Sequence, residues 1–266
     1  MDNTTINGIY TLPTEGKIYT EEVSPTFEIR SMTTNEEMKR LNHSERPYEA
    51  MAGIIDACLV KPIGISAYDM HLADYQYLMH KLRVVTYGSS YSLSSTCPYC
   101  NSNIQDDVNL DELPMRPLDV EKFNQLRECD LPKSGKHITL KMQTPRLMDN
   151  ITVRAKEMRR KNPKLEGDPA FLLTLEALID TIDGKPADPV HISQWIRNLP
   201  MMDTNLILDN ASEMVNCFGL ETDLVNTCPV CGLEFHSSFR VTREFFRPTV
   251  KRCRITTRTN KVQRIN

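Results

Sequence analysis

Long apolar runs are missing from this 266-residue chain, and none approaches the roughly 20 residues needed to cross a bilayer as a helix. The opening segment MDNTTINGIYTLPTEGK lacks a basic stretch followed by an apolar one, so no export signal is expected. That places the chain in a reducing cytoplasm, where its eight cysteines are not expected to form a disulfide framework. No glycine-rich phosphate loop is present. Neither a nucleophile–base pair nor paired catalytic carboxylates can be assembled from the spacing of its residues. The sequence therefore offers no catalytic site, and the chain is expected not to be an enzyme.

What is present is ordinary for a globular protein: 40% hydrophobic and 25% charged residues. The net charge of −3 conceals an asymmetry. From Arg240 to Asn266 nine Lys/Arg face one acid, Glu244, so this tail carries +8 and residues 1–239 carry −11. A cationic tail on an acidic body suits a polyanion or an acidic protein surface.

The hydrophobic patterning predicts an α+β fold. Residues 1–30 read as an extended N-terminal arm that closes on a short strand with Phe27 and Ile29. Residues 31–117 form a first α+β lobe. In it Thr34 and Glu37 are spaced as a capping box, and Pro47 opens a helix with Met51, Ile54, Ile55 and Cys58 on one face. A further helix runs from about Met70 to Leu82. Residues 118–199 read as a mostly helical insertion, with HITLKM as a strand and helices at about 147–162, 169–182 and 190–198. Residues 200–239 form a second lobe with a helix at about 203–216, and residues 240–266 form the basic tail. Asp74 and Asp203 sit near helix starts, where a capping or dipole role is expected. Trp195 shares helical spacing with Ile192, Ile196 and Leu199 and is expected in a core. Phe245 and Phe246 read equally as an exposed anchor or as a buried segment end.

Two short strings carry the chemistry: TCPYC, with Cys97 and Cys100, and TCPVC, with Cys228 and Cys231. Alone, the first resembles the dithiol of a thiol oxidoreductase. That chemistry requires a helix N-terminus behind the first cysteine, whereas NSNIQDDVNL reads as a turn and a strand. Two CxxC turns instead supply the four sulfur donors of a tetrahedral structural zinc site, with Cys97, Cys100, Cys228 and Cys231 as ligands. Such a site leaves no open coordination position and is worth on the order of 10 kcal/mol in small zinc modules. His236, five residues after Cys231, is an alternative ligand. Cys58, Cys129, Cys217 and Cys253 read as ordinary residues. Each knuckle follows a helix and a glycine, Gly88 or Gly219, nine residues before its first cysteine. The order helix, glycine, extended piece, CPxC, strand occurs twice, which marks a weak internal duplication.

These pieces together resemble the baseplate hub and hub-assembly proteins of T-even-like contractile-tailed bacteriophages. The resemblance rests on LPTEGKIY, IRSMTTNEEMKRL, LRVVTYGSSY, CPYC followed by VNL, TPRLMD, CPVCGLEF and EFFRP, over about residues 10–250. It implies a late, non-enzymatic viral baseplate protein, assembled in the host cytoplasm and located in the virion tail. Its implied partners are other hub and tail proteins, with no membrane and no specific nucleic acid. A zinc-ribbon nucleic-acid binder is the competing reading, since knuckles and a +8 tail also suit phosphate. Truncation after Phe239 is expected to leave the body folded.

Overall fold

The computed structural model describes residues 7–238 and 243–246. In chain order the first half contains strands β1 (Asn7–Thr11) and β2 (Thr26–Arg30), then helices α1 (Thr34–Leu41), α2 (Pro47–Cys58) and α3 (Leu72–Tyr87). Strands β3 (Ser90–Thr96) and β4 (Asn103–Asn109) follow, with a 3₁₀ turn at Leu110–Glu112 and the short strand β5 (Met115–Arg116). The second half opens with α4 (Val120–Arg127), β6 (Glu128–Asp130), β7 (His137–Leu140), α5 (Pro145–Lys161) and α6 (Pro169–Leu178). It continues with β8 (Ile179–Ile182), β9 (Lys185–Pro186), α7 (Ile192–Arg197), α8 (Met201–Asn216) and β10 (Gly219–Leu220). Strands β11 (Asp223–Thr227) and β12 (Glu234–Ser238) and a 3₁₀ turn at Arg243–Phe246 complete it. Mixed helices and small antiparallel sheets agree with the α+β reading.

Residues 7–30, expected as part of an extended arm, are instead integral to the body. β1 and β2 pair antiparallel from Asn7↔Arg30 to Thr11↔Thr26, and Leu12, Val23, Phe27 and Ile29 join the first apolar cluster. The capping box of α1 lies one residue earlier than expected. Its N-cap is Thr33, whose N–H donates to the Glu36 carboxylate at 2.7 Å, while Glu37 pairs with Arg40 and Tyr87. The helix expected over 169–182 stops at Leu178. Ile179, Thr181 and Ile182 are β-branched, and pairing with β7 places them in a four-stranded sheet of order β6-β7-β8-β9.

The duplication legible around the knuckles extends through both halves. Leu12-Pro13 with Gly16-Lys17 is matched by Leu131-Pro132 with Gly135-Lys136. Thr33 and Thr144 are the N-caps of α1 and α5. Tyr10 pairs with Phe27 across β1–β2, as Cys129 pairs with Ile138 across β6–β7. The residue after α2, Leu59, bridges to Ile29, and the residue after α6, Ile179, pairs with Leu140. Ile65-Ser66-Ala67-Tyr68 corresponds to Ile192-Ser193-Gln194-Trp195, and α3 and α8 are each 16 residues long. Each half has its own main apolar cluster.

Asp74 and Asp203 are the third residues of α3 and α8, and both are fully buried. Neither caps its own helix; the N-caps are His71 and Pro200. Each carboxylate instead holds the equivalent Leu-Pro turn from far along the chain. Asp74 accepts from the Thr14 N–H (3.2 Å), the Thr14 hydroxyl (2.5 Å) and the Tyr19 hydroxyl (2.6 Å). Asp203 accepts from the N–H groups of Lys133 (2.9 Å) and Ser134 (2.8 Å). The balance differs between the two. Burial pushes the Asp74 carboxyl up, with the bonds from Thr14 and Tyr19 opposing. At Asp203 burial also pushes upward, but the Lys133 and Ser134 donors outweigh it and the carboxyl lies below its ordinary range.

The two halves diverge most at the C-terminal segment. Phe245 and Phe246 are buried in the first half's cluster. The wholly buried Arg83 guanidinium donates to the carbonyls of Phe245 (3.0 Å), Ser90 (3.1 Å) and Gly88, with Tyr87 and Tyr91 stacked against it. Its counterpart in α8 is the exposed Ser212. The buried reading of this segment holds, and it speaks against the expectation that truncation after Phe239 spares the body: such a cut removes two core rings and the acceptor of the Arg83 Nε–H, leaving the bonds to Gly88 and Ser90. Phe245→Ala, which leaves the backbone acceptor in place, is expected to lower stability by about 3–5 kcal/mol. Urea unfolding followed by tryptophan fluorescence and circular dichroism checks this.

Candidate metal centre

Each knuckle is the tip of a two-stranded hairpin, β3–β4 paired from Ser90↔Asn109 to Thr96↔Asn103 and β11–β12 from Asp223↔Ser238 to Thr227↔Glu234. The tips share one backbone plan. The Cys97 N–H donates to Ser102 O (2.9 Å) and the Asn101 N–H to Cys97 O (3.0 Å). Residue for residue, the Cys228 N–H donates to Leu233 O (3.0 Å) and the Gly232 N–H to Cys228 O (2.8 Å). The residue after the second cysteine is left-handed in both, with φ 57° at Asn101 and 72° at Gly232. Asparagine and glycine are the residues that adopt this conformation most readily.

The hairpins meet tip to tip. The first cysteine of each, Cys97 and Cys228, is buried together with Ile104 and Phe235, each seven residues further on, in a small apolar cluster of its own. Cys100 and Cys231 lie on the exposed side. The close sulfur pairs cross between hairpins, Cys97 to Cys231 at 3.7 Å and Cys100 to Cys228 at 3.6 Å. All four sulfurs lie within 4.8 Å of one another, so the group can hold a metal ion. A tetrahedral ion about 2.3 Å from each sulfur sets the sulfurs about 3.8 Å apart, close to the spacing seen here. His236 sits on β12 opposite Val225 and is outside this group.

The donors around the sulfurs favour thiolate. The Ser102 hydroxyl lies 3.0 Å from the Cys100 sulfur and 3.4 Å from that of Cys228. With the N–H groups of Cys231 and Val230 it brings the Cys228 thiol down to about 6. Ser102, through its hydroxyl and then its N–H, also lowers Cys100. At Cys231 the Leu233 N–H pulls downward, but burial and the three neighbouring sulfurs push the thiol up to about 12. Four sulfurs this close repel one another as thiolates. A divalent ion at their centre would relieve that repulsion.

Cys100 is followed by the Asn101 turn and β4, not by a helix, so the dipole that would activate a redox dithiol is absent from this knuckle. Cys58 and Cys129 are buried, and burial raises both thiols. Cys217 is the C-cap of α8. Cys253 and the basic residues after Phe246 lie outside the described residues. No helix among the described residues is long and apolar enough to cross a membrane.

The fold and site thus define an internally duplicated α+β protein with a four-cysteine centre competent to bind metal. Residues 5–247 match the family described as T4 bacteriophage base plate protein, and the chain belongs to that family. No curated protein and no solved structure matches it. Membership makes the chain a phage tail baseplate protein, with a structural role and other tail proteins as its partners.

Gly232→Val places a β-branched residue at φ 72° and is expected to cost at least about 1–2 kcal/mol in the knuckle. Asn101→Gly, at the equivalent position, is expected to be nearly neutral. Thermal melts and metal content of the two variants check the contrast.

Proposed function

We propose that this protein is a non-enzymatic component of the hub at the centre of a contractile-tail baseplate, stabilised by a structural Zn2+ held by Cys97, Cys100, Cys228 and Cys231. The observation that carries the zinc assignment is the crossed sulfur pairing at 3.6 and 3.7 Å between knuckles 131 residues apart in sequence. Four sulfur donors fill a tetrahedral sphere, so the ion holds structure and leaves no position for a substrate. Its chemistry is to join the two hairpins, while N–H groups and Ser102 neutralise part of the thiolate charge. The hub assignment rests on family membership together with the resemblance of LPTEGKIY, CPVCGLEF and EFFRP to hub proteins.

In this reading the chain is assembled in the host cytoplasm and resides in the virion tail. Neighbouring hub subunits are its partners, and the +8 segment from Arg240 to Asn266 meets an acidic surface on one of them. A structural ion and a charged terminal segment serve assembly: the first fixes a body, and the second gains its binding energy on the partner.

Elemental analysis of purified protein is expected to give one zinc per chain. Cys97→Ser or Cys228→Ser is expected to lose it and to lower the melting temperature sharply. Zinc-free protein, together with a double variant that melts like the wild type, would sink the metal assignment. For the hub role, a chain ending at Phe246 keeps both core rings and is expected to fold with its zinc yet fail to enter particles. Normal particle assembly with that chain would count against the tail's part in docking.

A further inference from the structure

The duplication allows each surface of one half to be compared with its counterpart in the other, and one pair of surfaces is used in the first half and vacant in the second. α3 begins with Leu72 and Ala73, which are only 8% and 4% exposed. They are buried against the second half. The Leu72 N–H donates to Gln143 O at 3.0 Å, Ala73 belongs to the second half's apolar cluster, and a Cβ built on the buried Gly219 would lie 3.2 Å from the Ala73 Cβ. The first half therefore presents the start of its long helix to the glycine that follows the second half's long helix.

The counterparts of these groups are open. α8 begins with Met201 and Met202, 60% and 58% exposed. Phe171, at 45% exposure, lines with Met201 one groove of about 280 Å3. Gly88, the counterpart of Gly219, is exposed, and a Cβ built on it would meet nothing within 4 Å. One chain thus carries both members of a contact it already makes internally: an unoccupied apolar helix start at one end and an unoccupied glycine turn at the other.

We propose that Met201, Met202 and Phe171 form a self-association surface that receives the Gly88–Ser89 turn of a second copy of this chain, head to tail. The occupant is a second copy because the internal contact shows what this helix start packs against, and Gly88 offers the same close approach on an open face. Two adjacent, largely exposed methionines beside a phenylalanine also make an apolar surface suited to an interface. The contact is heterologous, so it propagates from copy to copy and closes into a ring or continues as a filament according to its rotation.

Sedimentation velocity of the full-length, metal-replete wild type across a concentration series is the test. Self-association that grows with concentration is expected. Met202→Asp, a change at an exposed site, is expected to weaken it by at least about tenfold, equivalent to about 1.4 kcal/mol, while the melting temperature and bound metal stay unchanged. A 1:1 mixture of Met202→Asp and Ser89→Arg separates the geometries. Each variant keeps one intact end, so the mixture is expected to give dimers and nothing longer. A wild type that stays monomeric throughout, a Met202→Asp variant that associates as the wild type does, or a mixture without dimers would each overturn the proposal.

Discussion

Four sulfur atoms within 4.8 Å of one another mark the meeting point of two segments that lie 131 residues apart in sequence. The hairpins that carry them are thin: each has two strands and contributes to the shared apolar cluster only one cysteine and one larger side chain. An isolated two-stranded hairpin is marginal in water. The small shared cluster gives them little apolar burial, and in the proposed reading an ion between the sulfurs would add what the cluster lacks. The rest of the molecule is arranged so that two such tips can meet, with a long helix, a glycine turn and a strand leading to each.

Much of this was legible in the sequence, and for identifiable reasons. The CPxC spacing, the glycine nine residues upstream and the turn-forming Asn101 and Gly232 are local signals, and local signals survive without coordinates. Helix existence was legible for α2, α3, α5 and α8 because their apolar positions repeat at helical spacing over three or more turns. The end of α6 was not, since Leu178 and Ile179 continue the pattern smoothly and only pairing with β7 turns the following residues into a strand. The N-terminal segment reads as an arm because, ahead of β2, its buried residues are few and most lie in the Leu12–Thr14 turn. Thr14 is held by Asp74, 60 residues away, and Leu12 is buried in the first apolar cluster, and sequence spacing carries no trace of that. The match between Leu12-Pro13-Thr14-Glu15-Gly16-Lys17 and Leu131-Pro132-Lys133-Ser134-Gly135-Lys136 was present in the letters throughout. It gained meaning only when both turns proved to be held by equivalent buried carboxylates.

Where the halves differ is as informative as where they agree. α8 is an ordinary amphipathic helix with Asp209, Ser212 and Glu213 in solvent. α3 is buried nearly all round, because β1, the Leu110–Glu112 turn and the Phe245–Phe246 segment cover what its counterpart leaves open. Arg83 makes this possible. A buried guanidinium is costly unless every donor finds a partner, and here the acceptors are backbone carbonyls on both sides of the Gly88 turn and on the C-terminal segment. The first half is thus the more heavily packed unit, and the second keeps the more open surface.

The placement of the four cysteines also has a consequence in time. A ribosome releases residues 97–100 long before residues 228–231, so a growing or prematurely ended chain offers an ion only two sulfurs, too few for a closed tetrahedral site. In the proposed reading coordination becomes complete only after residues 228–231 have been made and both duplicated units have folded far enough to bring their hairpins together. Under the proposed metal assignment the centre would act as a check on pairing: only a chain that carries both knuckles and has brought them together could load an ion.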